Sequence, residues 1–193
     1  MMARDLQSLL TDIERKGLEN DAAETERARK YLNITKDTGE LLQVLVKTSG
    51  ARRVLEIGTS NGYSTLWLAN ALGPSGMVTT LEHNPHKIEE AQHYFLQAGL
   101  AERIDIMQGD ATALLTILTT PFDFIFLDAD RSAYMTMLPD LTRLLASGGL
   151  LVCDNAISHQ QELQPFMNYF IQETGFDTAL VPVGKGEFLI YKH

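Results

Sequence analysis

A chain of 193 residues is long enough for one domain with a sizeable core, and 45% hydrophobic against 21% charged residues marks a globular protein, not a disordered one. The net charge of −9 repels polyphosphates and argues against a broad nucleic-acid surface. A single cysteine, Cys153, excludes an intramolecular disulfide; with no run of about 18 apolar residues and an acidic N-terminus unlike a signal peptide, the expected setting is the cytoplasm, with no membrane partner.

Leu6, Leu9, Leu10 and Ile13 fall at helical spacing and predict an amphipathic first helix. The polar stretch 17–26 reads as a break before a second helix carrying Tyr31, and residues 35–46 (Leu41, Leu42, Leu45) as another helix ending before Ser49-Gly50. Residues 1–48 thus form a helical appendage on a core spanning 49–193, all within one domain. A packing role and a lid or dimer role both stay open for the appendage.

The stretch VLEIGTSNGYST (54–65) follows. A short strand runs into Gly58, a polar turn leads to Gly62, and an apolar helix begins at Ser64. This is the first strand–turn–helix of an open α/β sheet, in which nucleotide-like ligands bind beyond the carboxyl ends of the strands. A glycine there permits positive φ and close approach of the backbone to a ligand. Gly58-x-x-x-Gly62 is neither the Gly-x-Gly-x-x-Gly pattern of dinucleotide sites nor a phosphate loop ending in Lys-Ser/Thr. A ligand without a pyrophosphate is indicated, and a nicotinamide-dependent dehydrogenase is disfavoured.

Strands are expected at 53–58, 77–83, 104–110, 122–130 and 150–155, each followed by a helical pattern, which implies parallel strands with crossover helices. Asn84-Pro85 opens the helix bearing Ile88, Ala91 and Phe95. Ser158-x-x-Gln161 reads as a capping box for the last helix, in which Pro165 demands a kink or a later start. The runs 176–183 and 187–192, parted only by Gly184-Lys185-Gly186, predict an antiparallel hairpin. The expected fold is α/β, a mainly parallel sheet with one antiparallel strand at its end.

The polar candidates gather at strand ends. Glu56 lies inside the first strand and Glu82 ends the second, where an acid commonly accepts hydrogen bonds from a ribose diol. Asp110 and Ala111 end the third, with Asp110 also placed to cap the next helix. The fourth strand ends Asp128-Ala129-Asp130 and the fifth Asp154-Asn155; alternation along a strand points Asp128 and Asp130 the same way. Asp128, Asp154 and Asn155 together bring two carboxylates and an amide oxygen to one place, a hard-ligand set suited to Mg²⁺, Mn²⁺ or Ca²⁺. Caps and solvated turns are the alternative account.

VLEIGTSNGYST, the acidic end of the second strand, FIFLDAD and VCDN together resemble the cation-dependent class I O-methyltransferases, relatives of catechol and caffeoyl-coenzyme A O-methyltransferases. The resemblance runs from about Thr35 to the C-terminus and includes VPVGKGE. It implies a Rossmann-like class I methyltransferase fold, a mostly parallel seven-stranded sheet with helices on both faces, and S-adenosylmethionine as cofactor. It also implies a divalent cation (Mg²⁺ first), a small-molecule acceptor of the catechol kind and a homodimer. Carried over position by position, Glu56, Gly58 and Thr59 would line the methionine end of the cofactor, with Ser64 at the helix start. Glu82 would bind the ribose, Asp110 and Ala111 would flank the adenine, and Asp130 would meet the amino group. Asp128, Asp154 and Asn155 match the metal ligands; the cation would lower the pKa of the acceptor hydroxyl and orient its oxygen.

The departures concern the catalytic base. Family members often carry a lysine three residues after the first metal aspartate, where this chain has Arg131. Arginine does not deprotonate but can stabilise a phenolate. His159, four residues after Asn155 at a predicted helix start, is the alternative base, or else an exposed first-turn residue. Tyr63, Trp67 and Tyr134 are candidates for an aromatic wall, although helix packing accounts better for Trp67. Two further functional readings remain: a tRNA-base acceptor assisted by Arg27, Arg29 and Lys30, and a non-catalytic relative that keeps the fold.

Overall fold

The computed structural model describes residues 5–193. Its centre is the run FDFIFL, which forms β4 (Phe122–Leu127) with four successive side chains fully buried. A strand apolar on both faces belongs in the middle of a parallel sheet covered on both sides by helices. The other strands are β1 (Arg53–Ile57), β2 (Met77–Glu82), β3 (Ile104–Gln108), β5 (Leu145–Cys153), β6 (Phe176–Val181) and β7 (Glu187–Lys192), in the order β3-β2-β1-β4-β5-β7-β6. The first three run outward from β1 in one direction and β4 and β5 in the other, so the chain reverses its winding between β1 and β4. Ligand crevices form at that reversal, beyond the carboxyl ends.

The ladder carries past the strands and brings their ends level. Gly58 N–H donates to Leu81 C=O (3.1 Å), Asp128 N–H to Ile57 C=O (3.0 Å), Asp154 N–H to Leu127 C=O (3.1 Å) and Gly109 N–H to Glu82 C=O (2.9 Å). Residues at the ends of five strands therefore share one rim.

Helices α1 (Leu6–Ala23), α2 (Lys36–Ser49), α3 (Tyr63–Ala71) and α4 (Pro85–Ala98) cover one face, where Leu9, Ile13, Leu42 and Leu66 pack with Val54, Phe124 and Phe126. Helices α5 (Ala111–Ile117), α6 (Tyr134–Leu144) and α7 (Gln160–Gln172) cover the other, where Leu115, Leu141, Phe166 and Phe170 meet Leu55, Ile125 and Leu127. From Val54 in β1 and Phe124 in β4 onward, the odd and even apolar residues divide between the two layers, as a pleated strand requires; Phe122 precedes a register shift and packs with the odd set.

Four local expectations need correction. The polar stretch is no break: α1 runs through Gly17 to Ala23, and a Cβ at Gly17 would lie 2.4 Å from Asn33 Nδ2, so the glycine serves a close crossing. Tyr31 lies in no second helix. It sits in an extended return segment after a turn at Arg27–Arg29, its N–H held by Asn20 Oδ1 (3.1 Å) and Asp21 Oδ1 (2.8 Å). The antiparallel strand β7 is internal, between β5 and β6, because Phe188 and Ile190 supply the buried face; the more exposed β6 is the edge. The capping box does not form: Ser158 Oγ turns to His159 Nδ1 (2.9 Å), α7 starts at Gln160, and Pro165 lies within it.

Candidate functional site

A cavity of about 680 Å³ opens over the level strand ends, between the β1–α3 turn and the return segment around Tyr31. The turn demands its glycines. Gly58 has φ +107°, and a Cβ there would lie 2.1 Å from the Asp128 carbonyl oxygen. Gly62, at φ +86°, begins α3, and a Cβ there would strike the Phe95 ring at 2.6 Å. Ser60 ties the turn to the return segment through Oγ–H to the Tyr31 carbonyl (2.8 Å).

Glu82 faces this cavity from the end of β2. Its Oε2 accepts Ser60 N–H (2.9 Å), and its Oε1 accepts His83 N–H (3.0 Å) and Asn84 N–H (2.9 Å). Three backbone donors hold a buried carboxylate without rotamer freedom. Farther along, Asp110 caps α5 through Ala113 N–H (3.0 Å), and both Asp110 and Ala111 line the cavity. Thr59 turns its hydroxyl away to Thr80 (2.6 Å) and offers backbone. Glu56 lies outside the lining, one layer below. It is fully buried and accepts hydroxyls from Ser64 (2.6 Å), Thr80 (2.6 Å) and Thr65, and burial still raises its pKa to about 7. Ser64 lines the cavity and links it to Glu56.

Because β4 ends at Leu127, strand alternation stops before the acidic residues, and Asp128, Ala129 and Asp130 all line the cavity. Asp130 is exposed, and its carboxyl is held below the usual range by Ser132 N–H (3.1 Å) and Ser132 Oγ–H (3.0 Å). Asp128 and Asp154 meet across Asn155, whose Nδ2 donates to Asp128 Oδ1 (3.1 Å) and Asp154 Oδ2 (2.8 Å). Asn155 is left-handed at φ +68°, the conformation that turns its side chain back over the strand end. Both carboxyls are pushed up, Asp128 by burial and the nearby Asp154 charge, Asp154 by burial. Beneath them Glu187, fully buried, accepts Thr38 Oγ–H (2.8 Å) on one oxygen, leaves Oε2 without a partner and is raised to about 9, first by burial and then by the nearby Asp154 charge. Among the described residues no three His, Cys, Asp or Glu side chains cluster as a metal site; the third donor here is an amide.

The O-methyltransferase family model matches residues 13–192 of this sequence. The chain belongs to the O-methyltransferase family. It is 40% identical over 139 residues to catechol O-methyltransferase of Mycobacterium tuberculosis, a match spanning 72% of this chain but only 61% of that protein. Two solved O-methyltransferases superpose over the whole chain. One, from Streptomyces achromogenes, acts in tomaymycin synthesis and was solved with SAM (27% identity, TM-score 0.83, 92% of that chain). The other is the Bacillus cereus enzyme with SAH (26%, TM-score 0.82, 93% of that chain).

In this family member Arg131 lies near Asp128, and both it and His159 line the cavity. Arg131 donates Nε–H to Glu162 Oε2 (2.8 Å) and is largely covered. His159 is the N-cap residue of α7 and lines the cavity. Of the aromatic candidates only Tyr63 lines the cavity. Tyr134 is buried, with Ala129 N–H donating to its oxygen (3.0 Å), and Trp67 packs against Gly39, where a Cβ would come within 2.5 Å.

Sequence reasoning missed Lys185 and Lys87. The β6–β7 turn is pinned beside Asn155 by Ile157 and Ser158 N–H to Lys185 C=O (3.2 and 3.0 Å), which places Lys185 on the cavity wall. The signal was available, because a glycine-flanked turn next to β5 must arrive at the same rim. Lys87, from α4, donates to the Lys30 carbonyl (2.7 Å), and burial lowers its pKa. Nothing in the helix pattern marked it.

Proposed function

We propose that this chain is an S-adenosylmethionine-dependent O-methyltransferase that holds a small vicinal-diol acceptor with the help of a divalent cation. One observation carries the reading: a carboxylate fixed by three backbone donors (Glu82) stands on the same rim as a pair of carboxyls bridged by one amide (Asp128, Asp154, Asn155). The first suits a ribose. The second suits a cation, because the amide NH₂ group already acts as the shared positive partner of both carboxyls. A half-turn of the Asn155 amide exchanges that donor for Oδ1, completing a hard oxygen set.

When bound, the cofactor supplies an electrophilic methyl group and the cation supplies Lewis acidity toward the acceptor oxygens. Glu82 anchors the ribose, and Asp110 with Ala111 flanks the adenine. The Gly58–Thr59 backbone, Ser64 backed by Glu56, and Asp130 receive the methionine end. Asp128, Asp154 and Asn155 would hold the cation, on the side of the rim where the acceptor's two oxygens would sit. Arg131, fixed by Glu162, contributes a permanent positive charge beside the reacting oxygen. His159, with Nδ1 on Ser158, leaves Nε2 to take the acceptor's proton. The tRNA reading loses support: Arg29 pairs with Glu26 (3.3 Å) and Lys30 bonds to the Asp21 carbonyl (2.8 Å), so two of the three basic residues are engaged.

The test is methyl transfer from labelled cofactor to catechols and hydroxycinnamates, with Mg²⁺ and with EDTA. Turnover should need the cation and vanish in Asp154→Ala while cofactor binding survives. Turnover indifferent to EDTA overturns the cation assignment, and loss of cofactor binding in Asp154→Ala overturns the division of the rim.

A further inference from the structure

The chain carries 16 basic against 25 acidic residues, yet the acceptor end of the cavity is ringed by cations. Arg131 lies beside Asp128, and its charge, like that of Lys185, reaches both the Asp128 and the Asp154 carboxyls. Arg27, on the return segment, closes the ring from the opposite wall, its charge reaching Asp130 and Glu162. The counter-charges act on Lys185 and Arg27 only at a distance. Glu162 answers Arg131 at 2.8 Å, while Asp128 and Asp154 are turned to Asn155. Neither Lys185 nor Arg27 makes a side-chain hydrogen bond or ion pair with any described residue. Two cations without a direct partner at one mouth of the cavity leave free donors whose most direct use is to receive a negative ligand.

Building on the proposed methyl transfer, we infer that the acceptor is anionic: a small diol whose ring or side chain carries a carboxylate, which Lys185 and Arg27 receive at the cavity wall while the diol faces Asp128 and Asp154. Lys185 suits this role because the pinned β6–β7 turn fixes its backbone while its stem stays free to follow the carboxylate. Arg27 sits on an exposed turn and supplies attraction more than register. A diol bearing an ammonium group would meet the same two cations as repulsion.

The experiment compares a charge series of one diol on the Mg²⁺-supplied enzyme: 3,4-dihydroxybenzoate (anionic), catechol (neutral) and its aminoethyl derivative (cationic). Relative kcat/KM should favour the anion by about tenfold over catechol and more over the amine, with the preference shrinking as salt rises. Lys185→Gln should bring the anion-to-neutral ratio toward unity, Lys185→Arg should keep it, and Lys185→Glu should invert it. A lysine that merely balances the acidic floor would change all three acceptors alike and leave the ratio in place, which overturns the inference. An equal or reversed preference in the unaltered enzyme does the same. A coenzyme A ester exceeding the dihydroxybenzoate, and losing its lead in Lys185→Gln, would keep an anionic acceptor but identify phosphate as the anion. If no diol is methylated, the proposed function fails. Calorimetric binding of dihydroxybenzoate and catechol to the cofactor-loaded protein then decides the charge preference alone, and equal affinities overturn it.

Discussion

Replacing Glu82 by glutamine separates the job the structure shows, holding three backbone donors, from the proposed one, binding a ribose hydroxyl. An ionised carboxylate offers about four acceptor positions. Three are taken: two on Oε1 by His83 and Asn84 N–H, and one on Oε2 by Ser60 N–H. One position on Oε2 therefore remains for a ribose hydroxyl, so the site can make one strong charge-assisted hydrogen bond, not two. Such a bond contributes about 1.5–3 kcal/mol, so its loss weakens cofactor binding by roughly 10–150-fold. Glutamine keeps Oε1 for His83 and Asn84 but sets an NH₂ group against Ser60 N–H, leaving a buried donor unpaired at about 1–3 kcal/mol of stability. Calorimetric titration with S-adenosylhomocysteine and with its 2′- and 3′-deoxy analogues reads the first effect; chemical denaturation reads the second. In a double-mutant cycle one deoxy analogue should lose nothing further in Glu82→Gln, since the partner of its missing hydroxyl has already gone. Affinity within about threefold of the unaltered protein, or strictly additive losses for both analogues, would refute the ribose assignment.

Two other perturbations bear on the floor of the cavity. Glu56 has an ordinary unfolded value near 4.5 and a folded one of about 7. Below the first value both states hold the proton. Between the two the unfolded chain releases it and the folded chain retains it, so stability falls as pH rises through that window, by about 3 kcal/mol once above the folded value. Unfolding measured from about pH 4 to pH 8 without cofactor should show the advantage of Glu56→Gln over the unaltered protein growing by that amount; a pH-independent difference refutes the burial argument. Gly58→Ala places a methyl 2.1 Å from the Asp128 carbonyl at a φ that alanine disfavours, so at least about 2 kcal/mol should be lost together with tight cofactor binding. An unshifted melting curve with intact binding would show that the turn tolerates a side chain.

How much of this was legible in the sequence follows the range of the interactions. The βα alternation, the glycine turn and the acids at strand ends were readable because each is set by neighbours a few residues away. The run FDFIFL announces a buried central strand by itself. What failed depended on distant partners. Gly17 looked like part of a break because nothing local shows that Asn33 returns to cross it, and the helix continues because that crossing is packed. Ser158 and Gln161 had the spacing of a capping box, yet the left-handed turn at Asn155 sends the serine hydroxyl elsewhere. The resemblance puts Glu56 at the methionine end of the cofactor; strand position alone does not reveal that three hydroxyls from α3 and β2 cover it, so that it can act only through Ser64. Lys185 was passed over because a lysine between glycines reads as a turn until the turn's neighbour is known.

The two halves of the rim are stabilised by different means, and this bears on how the site works. Glu82 is held by main-chain donors of the β1–α3 turn and its own loop, so its position is set by the fold before any ligand arrives. Of the facing pair, Asp154 has one main-chain donor, Asn155 N–H (2.6 Å), and Asp128 is held by the Asn155 side-chain amide. They face one another across a side-chain amide, with Glu187 crowding from below and burial opposing every charge. A fold gains nothing in stability from a buried carboxyl pair with a third carboxyl below it. Arg131 and Lys185 offset part of that charge, and the proposed cation would offset the rest. On this reasoning the cofactor half is formed in advance and should bind S-adenosylhomocysteine equally well with or without Mg²⁺, whereas the acceptor half is completed only by loading. Equal cofactor affinity in EDTA and in Mg²⁺, together with stabilisation of the unaltered protein but not of Asp154→Ala by Mg²⁺ in thermal melts, would separate the halves; a cation effect on cofactor affinity as large as that on acceptor affinity would join them.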